Sequence, residues 1–228
     1  MYTPDYRADY VDYLDTRTDT VTTAIRVGRG PYAVQPSRDG RRLYVPNYDE
    51  PRMQVIDVAS ATVVDSIEEM PDPHWIAFSS DGRFGFTTNH FSDVVTVIGM
   101  ATDQVLATIP VGDGPHSIET APDGTRIGLV NYIAGSVSIL DPSAEKVVAT
   151  IPDVGKNPQD ITYAPDGRHF YTANVGDGTV TVVDTATNTV TARVPIGDSP
   201  TSVTVLPDGR KAYVTDFGDG TIRVLKTA

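Results

Sequence analysis

Apolar and polar positions alternate along the chain in short runs that turn-forming residues separate. Residues 157–197 show the pattern most clearly, with apolar runs rich in Val, Ile, Thr and Tyr at 160–163, 170–174, 179–184 and 189–195. Pro-Asp-Gly, Gly-Asp-Gly and Thr-Ala-Thr-Asn fill the gaps between them. β-branched and aromatic residues favour strands, and these gap residues favour tight turns. The segment therefore predicts a four-stranded antiparallel meander.

The same pattern recurs at a nearly constant period. The proline that opens each predicted first strand returns at intervals of 42, 42, 43 and 42 residues, at Pro31, Pro73, Pro115, Pro158 and Pro200. The Asp-Gly turns keep this step, at Gly40, Gly82, Gly124, Gly167 and Gly209. A four-stranded repeat of about this length is typical of a β-propeller blade, which buries its faces against neighbouring blades. The predicted fold class is an all-β propeller forming one domain over residues 1–228.

The repeats are incomplete at both ends of the chain. Full repeats are expected at 31–70, 73–112, 115–155 and 158–197, with partial repeats at 1–28 and 200–228. The resulting 22 candidate strands favour six blades, of which the first and last have three strands each. In a five-bladed alternative, residues 20–27 complete the blade that Pro200 begins. Either way, we expect the N- and C-terminal strands to close the ring, because closure removes exposed sheet edges.

Three predicted second strands share a motif, LYVPN at 43–47, FYTAN at 170–174 and AYVTD at 212–216. They resemble the YVTN family of β-propeller repeats, and the third-strand segments 55–64 and 182–197 strengthen the likeness. The resemblance covers essentially the whole chain and implies the propeller fold. It departs from the family at FTTNH (86–90) and GLVNY (128–132), which indicates that these positions serve something other than packing.

The resemblance implies a fold more strongly than a function. Similar repeats occur in bacterial surface proteins, in the d1-type domain of nitrite reductases, in lactonases and in virginiamycin B lyase-like enzymes. A binding module, an enzyme and a structural array therefore all stay open.

Composition and charge narrow the setting. The 228-residue chain has 39% hydrophobic residues and no apolar run of about 18 residues, so no membrane insertion is expected. No apolar leader is visible near the N-terminus, which predicts a cytoplasmic protein, or a secreted or cell-surface one if a leader precedes this sequence. The absence of Cys excludes disulfides and thiolate metal sites. A net charge of −12 argues against nucleic acid as a partner and suits a cationic or neutral ligand.

Antiparallel pairing places the start of each first strand beside the end of each second strand. The residues that follow the opening prolines are Tyr32, His74, His116, Gln159 and Thr201. Those that follow the Asn or Asp ending the second strands include Tyr48, His90 and Tyr132. We therefore expect His74, His90 and His116 on one face, with the first strands near the central channel. Alternation is expected to point neighbours such as His74 and Trp75 to opposite sides.

Two candidate sites follow from this placement. Imidazoles with a carboxylate can hold a divalent metal ion or act as general acid and base. The candidate catalytic residues are His74, His90, His116, Glu119 and Asp160, and the three histidines are the candidate ligands of one metal ion. Alternatively, each histidine only bonds to a neighbouring blade. The candidate ligand-binding residues, whose rings would stack on a ligand or plug the channel mouth, are Tyr32, Tyr48, Trp75, Tyr132 and Gln159.

The favoured function is a binding module that presents this face, lined by His, Tyr and Trp, to a small ligand or a protein partner. Two alternatives stay open: a metal-assisted lyase or lactonase-like hydrolase that uses the histidines, and a structural repeat array of a surface protein. Self-association through the incomplete terminal blades is also open. The Asn or Asp that ends each second strand is predicted to be structural, its side chain bonding the backbone of the adjacent turn.

Overall fold

A computed structural model describes residues 1–143 and 145–227. Ala144 and Ala228, which fall inside the predicted repeats 115–155 and 200–228, lie outside the described residues. The first eleven strands are β1 (Tyr2–Asp5), β2 (Tyr10–Asp15), β3 (Thr20–Arg26), β4 (Gln35–Pro36), β5 (Arg42–Asn47), β6 (Arg52–Asp57), β7 (Thr62–Glu68), β8 (Pro73–Phe78), β9 (Phe84–Asn89), β10 (Val94–Gly99) and β11 (Gln104–Pro110). The other eleven are β12 (Pro115–Thr120), β13 (Ile127–Asn131), β14 (Ser136–Asp141), β15 (Lys146–Ile151), β16 (Pro158–Tyr163), β17 (His169–Asn174), β18 (Thr179–Asp184), β19 (Thr189–Pro195), β20 (Pro200–Val205), β21 (Lys211–Asp216) and β22 (Thr221–Lys226).

The strands form six antiparallel sheets, the blades of a β-propeller. In chain order the sheets are β1–β3, β4–β7, β8–β11, β12–β15, β16–β19 and β20–β22, so the first and last have three strands. The prediction of a six-bladed all-β fold is confirmed. The five-bladed alternative is wrong, because β3 pairs with β2 in its own sheet, with Tyr10 opposite Arg26. Among the described residues, no helix is long and apolar enough to cross a bilayer.

Two compact units divide the chain, Met1–Thr108 and Ile109–Ala228. The first three blades belong to the first unit and the last three to the second, with the boundary near the end of β11. In the first unit, one core cluster joins the first two blades through Val11, Ile25, Val27, Leu43, Val45 and Ile56. In the second unit, one core cluster joins the fourth and fifth blades through Val130, Val137, Ile139, Ile151, Val154, Ile161, Tyr163, Phe170 and Val183. Burial of such side chains is the main force that holds neighbouring blades together.

The opening proline of each first strand pairs with the last residue of the second strand. Pro73 lies opposite Asn89 and Pro158 opposite Asn174, and the second, fourth and sixth blades repeat the pairing. We call this end of a blade its upper end. It carries the predicted residues that follow the opening prolines and the ends of the second strands, whereas Glu119 lies near the other end of β12.

A β-bulge directly follows the opening proline in β8, β12, β16 and β20. In the third blade the register passes from Pro73 straight to Ile76, which leaves His74 and Trp75 in the bulge. The expected alternation of these two neighbours is therefore wrong. A bulge interrupts the pleat, and the rings of both residues contact the ring of Tyr32.

In the third, fifth and sixth blades, the buried Asn or Asp that ends the second strand bonds the backbone of the chain segment that enters the blade. The side-chain amide of Asn174 donates to Val154 O at 3.1 Å, and that of Asn89 donates to Met70 O at 2.8 Å. Asp216 reverses the polarity and accepts from Ser199 N at 2.9 Å. The predicted bond to the adjacent turn is present at Asp5, which accepts from Arg7 N and Ala8 N at 3.1 Å each. At Asn89 and Asn174 the side chain instead reaches a segment about twenty residues earlier, and Asp216 bonds both such a segment and the adjacent turn at Asp219 N. We call the contact with the entering segment the latch.

The latch leaves no room for a side chain on the entering segment. A Cβ at Gly155 would lie 2.4 Å from the side chain of Asn174, and one at Gly197 would lie 1.5 Å from Asp216 Oδ2. Gly28 and Gly112 occupy the same place, three residues before an opening proline. In the third blade this residue is Met70, and the residue before it, Val or Ile in the other four, is Glu69.

Removing one latch should destabilise the protein measurably. In Asn174→Ala, Val154 O and the hydroxyls of Thr179 and Thr181 lose the amide that donates to them. We expect the free energy of unfolding to fall by about 1–3 kcal/mol, the cost of leaving buried polar groups unpaired. Urea denaturation followed by circular dichroism measures it. The matched control is Thr191→Ala, an exposed position on β19 that should change stability by less than about 0.5 kcal/mol. Equal midpoints for the two variants would show that the latch contributes nothing.

Candidate functional site

Seven rings meet at the upper ends of the blades of the first unit. Tyr32 lies at their centre, with its ring centroid 6.2 Å from that of Tyr6, 5.9 Å from Tyr48, 4.2 Å from His74 and 5.9 Å from Trp75. The full set, which we call the aromatic cluster, is Tyr6, Tyr32, Tyr48, His74, Trp75, His90 and Phe91. All three blades of the unit contribute to it.

The two histidines form the floor of the aromatic cluster. The centroid of His74 lies 4.7 Å from that of His90 and 4.6 Å from that of Tyr48. His74 is only 4% exposed and His90 8%, whereas Tyr6 is 41% and Phe91 65% exposed. His74 and His90, two of the three histidines expected on one face, are thus in contact. The accessible ring surface, however, belongs to the tyrosines, Trp75 and Phe91.

Sequence reasoning missed Tyr6 and Phe91 as site residues. Tyr6 stands one repeat before Tyr48, at the same place in the blade, so the period alone was enough to find it. Phe91 follows His90 in a 3-10 turn, after one of the two second strands whose motif departs from the other repeats. A loop conformation specific to one blade cannot be inferred from the consensus of the repeat.

Backbone hydrogen bonds fix the positions of the rings. The N–H of Tyr48 donates to Gly30 O at 2.8 Å, and the N–H of Tyr32 donates to Pro46 O at 3.0 Å. In the bulge, the N–H of Trp75 donates to the hydroxyl of Thr88 at 3.2 Å. Gly30 has φ +65°, and a Cβ there would lie 2.6 Å from Asp49, so this turn requires glycine. Hydrogen bonds of the fold thus position these rings.

A concave pocket of about 350 Å³ opens beside Tyr48 in the first unit. We call it the Tyr48 pocket; its lining is Tyr48, Asp49, Glu50, Pro51, Pro71 and Asp72. Burial raises the pKa of Tyr48, and the carboxylates of Asp72 and Asp49 raise it further. The hydroxyl of Tyr6 donates to Asp49 Oδ1 at 3.2 Å. The pocket thus joins an aromatic wall to a negatively charged rim.

Two larger depressions lie at the opposite ends of the blades. One of about 590 Å³ in the second unit is lined by turns that include Asp123 and Asp166, and one of about 570 Å³ in the first unit is lined by the equivalent turns around Asp39 and Asp81. We attribute both to blade packing.

The Tyr48 pocket has a counterpart of about 430 Å³ at the upper ends in the second unit, whose lining includes Ala134, Gly135 and Gly155 but no aromatic ring. The aromatic wall, and not the cavity itself, therefore distinguishes the Tyr48 pocket.

A buried carboxyl group lies below the aromatic cluster, at Glu69. Its Oε1 is inaccessible to solvent and has no hydrogen bond of normal geometry within the described residues. Its Oε2 lies 3.5 Å from the amide of Asn89, which forms the latch of this blade. Burial raises the pKa of Glu69 to about 8, although Asn89 and Thr87 act to lower it. Burial thus favours the protonated form of Glu69.

The second unit holds the remaining candidate ring residues. His116 stacks on Tyr132 with ring centroids 5.8 Å apart, and His116 is only 5% exposed. Gln159 lies half-buried in the bulge of β16, where the register passes from Pro158 to Asp160. These residues occupy the upper ends of their blades, as predicted.

The two predicted catalytic carboxylates tie first strands together in the second unit. Asp160 accepts from the hydroxyl of Ser117 at 2.7 Å and from Val203 N at 2.9 Å, which links the fourth, fifth and sixth blades. Glu119 accepts from Tyr163 N at 3.2 Å. Burial raises the pKa of Glu119 to about 7 and raises that of Asp160. Each carboxylate has a structural task that needs no substrate.

A metal site finds no support in this geometry. Within residues 1–143 and 145–227, no three or more His, Asp or Glu side chains come close enough together to hold a metal ion. The role of His74, His90 and His116 as metal ligands stays a prediction from sequence.

Comparison with known proteins identifies the fold but no family. No protein-family model matches the chain, and no curated protein matches it. Among solved structures, a functionally unknown protein from Desulfotomaculum acetoxidans is 18% identical with a TM-score of 0.82, over 99% of this chain and 78% of that one. A Kuenenia stuttgartiensis hydrazine synthase chain is 20% identical with a TM-score of 0.69, over 100% and 92%. At such identities the likeness shows the β-propeller fold alone.

The buried proton on Glu69 predicts a specific dependence of stability on pH. The pKa of Glu69 is about 8 in the folded chain against 4.5 for an ordinary glutamate, so the folded state binds more protons between these values. Stability should therefore fall as pH rises from about 4.5 to 8. Glu69→Gln removes this component. At pH 8 we expect the free energy of unfolding of the variant to exceed that of the wild type by roughly 2–4 kcal/mol, which raises its urea midpoint. The difference should be smaller at pH 5.

Glu68→Gln is the matched control, since the neighbouring side chain is 80% exposed. Denaturation midpoints from pH 5 to 8.5 should follow the wild type in this variant. A Glu69→Gln curve parallel to that of the wild type would show that Glu69 is ionised throughout.

Proposed function

We propose that the protein is a non-catalytic binding module whose aromatic cluster receives a small ligand. A β-propeller is a general binding or scaffold fold. The residues of its loops, and not the fold itself, therefore determine which ligand it binds. The observation that carries the proposal is the contact of seven rings from three blades, several of them open to solvent, beside a concave pocket. Apolar pockets with a few polar groups are the usual form of small-molecule sites.

The burial of the histidines favours binding over catalysis. A general acid or base must come within hydrogen-bond reach of its substrate, and His74 and His90 lie beneath other rings. Glu119 and Asp160 already accept hydrogen bonds from neighbouring strands. No specific observation favours the lyase or hydrolase alternative, whereas the exposed rings give a ligand a surface to stack on.

Trp75 makes the proposal directly testable, because it is the single tryptophan of the chain. Benzyl alcohol, a neutral ring that does not absorb at 295 nm, is titrated while Trp75 emission is recorded. We expect a saturable change for the wild type. Tyr32→Ala and Phe91→Ala should weaken the binding at least fivefold, because each removes one contact ring.

The matched control is Phe217→Ala, which removes an aromatic ring that is 81% exposed in the second unit. This variant should bind benzyl alcohol as the wild type does. Circular dichroism checks that Tyr32→Ala is folded, and Phe91→Ala serves where it is not, since Phe91 is largely exposed. A linear, non-saturating response, or equal binding by all variants, contradicts the proposal.

A further inference from the structure

The Tyr48 pocket has walls of two kinds. Tyr48, Pro51 and Pro71 present an aromatic ring and two apolar rings, while Asp49 and Asp72 present carboxylates. An aromatic face attracts a cation through its quadrupole, and a cation that carries alkyl groups gains from apolar walls as well. The two kinds of wall together match an alkylammonium ion better than either a neutral apolar ligand or an anion.

The countercharge comes from Asp49 and Asp72. Glu50, the third acidic residue of the lining, is already paired with Arg29 and Arg52, each at 3.2 Å. Within the described residues, neither Asp49 nor Asp72 takes part in an ion pair. These two carboxylates therefore stay available to a bound cation, in a chain whose net charge is −12.

The same lining disfavours an inorganic metal ion. Coordination of a hard cation requires several carboxylate oxygens to converge at about 2–2.6 Å from one point. Asp49, Glu50 and Asp72 form no such group among the residues described. Carboxylates that surround a pocket without converging attract a cation from a longer distance. This arrangement suits an alkylammonium ion, because its alkyl groups keep the carboxylate oxygens away from the charged nitrogen.

The wall that carries Asp72 is fixed before any ligand binds. The N–H of His90 donates to Asp72 O at 3.0 Å, and the amide of Asn89 donates to Met70 O at 2.8 Å and Pro71 O at 3.3 Å. Two prolines add rigidity. A site that is ordered in advance loses less entropy on binding.

We propose that the Tyr48 pocket binds a small alkylammonium compound, with the cation against the ring of Tyr48 and between the carboxylates of Asp49 and Asp72. This inference rests on the proposed function, because it names the ligand class for one side of the aromatic cluster. Choline and 3,3-dimethyl-1-butanol have the same shape and differ in the charge of the central atom, so the pair isolates the effect of charge. Calorimetric titration at constant ionic strength compares the two.

We expect choline to bind at least tenfold more tightly than the neutral alcohol. Asp72→Asn should reduce choline affinity about five- to tenfold and leave the binding of benzyl alcohol to the aromatic cluster unchanged. Asp65→Asn, which removes an exposed carboxylate on β7 outside the pocket, is the control for net charge and should bind choline as the wild type does. Blocked trimethyllysine, which represents the modified side chain of a protein partner, is the third probe. If it binds at least tenfold more weakly than choline, the result supports a free small molecule as the ligand.

The results separate this inference from the proposed function. Saturable binding of benzyl alcohol with equal affinities for choline and its neutral isostere overturns the alkylammonium assignment and leaves the binding module standing. Choline affinity that Asp65→Asn lowers as much as Asp72→Asn also overturns it, because net charge would then be the cause. Blocked trimethyllysine binding as tightly as choline overturns the assignment to a free ligand. Loss of both choline and benzyl alcohol binding removes the proposed function as well.

Discussion

In the second to sixth blades, the close contact between the end of the second strand and the segment that enters the blade is the constraint on which the rest of the structure depends. A buried amide or carboxylate ends the second strand and holds the segment that enters the same blade, as Asn174 holds Val154. Because an unpaired buried amide is costly, the entering segment passes close to it, and in four of these blades a glycine occupies the point of contact, where a Cβ would clash. The entering segment and the loop after the second strand are therefore fixed side by side. Residues on these two segments become neighbours.

The third blade departs from this scheme at the place where the candidate site lies. Its entering segment has Glu69 and Met70 in place of an aliphatic residue and glycine, and Thr87 and Thr96 line the same interior. The latch residue Asn89 faces a carboxyl group and two backbone carbonyls together. A protonated carboxyl group can occupy such a position, whereas an ionised one is penalised by burial. Asn89 thus contacts the polar interior of this blade, and it directly precedes His90 of the aromatic cluster.

Much of this architecture could be predicted from the sequence because it repeats. The period fixed the blades, and the pairing of Pro73 with Asn89 follows from antiparallel register. The residues that bond the latch also recur, seven positions after it at Thr96, Ser138 and Thr181, a signal that sequence reasoning overlooked. The features that could not be predicted are specific to single blades. One is the bulge that brings both His74 and Trp75 into contact with Tyr32, and the other is the low solvent exposure of the imidazoles. Location in the cell and self-association stay predictions.

The burial of the histidines changes how the site is best understood. A histidine at the mouth of a propeller is usually considered for its nitrogen atoms, as a ligand or a base. His74 is 4% exposed, and its ring centroid lies 4.2 Å from that of Tyr32 at an interplanar angle of 54° and 4.6 Å from that of Tyr48 at 79°. Its Nδ1 lies 3.4 Å from Asp72 O. His74 thus packs among the more open rings and supports them. Rings packed in this way keep their orientation, so a ligand need not order them first. The selectivity of the surface then depends on the groups at its edge, and in the first unit those groups include the carboxylates beside Tyr48.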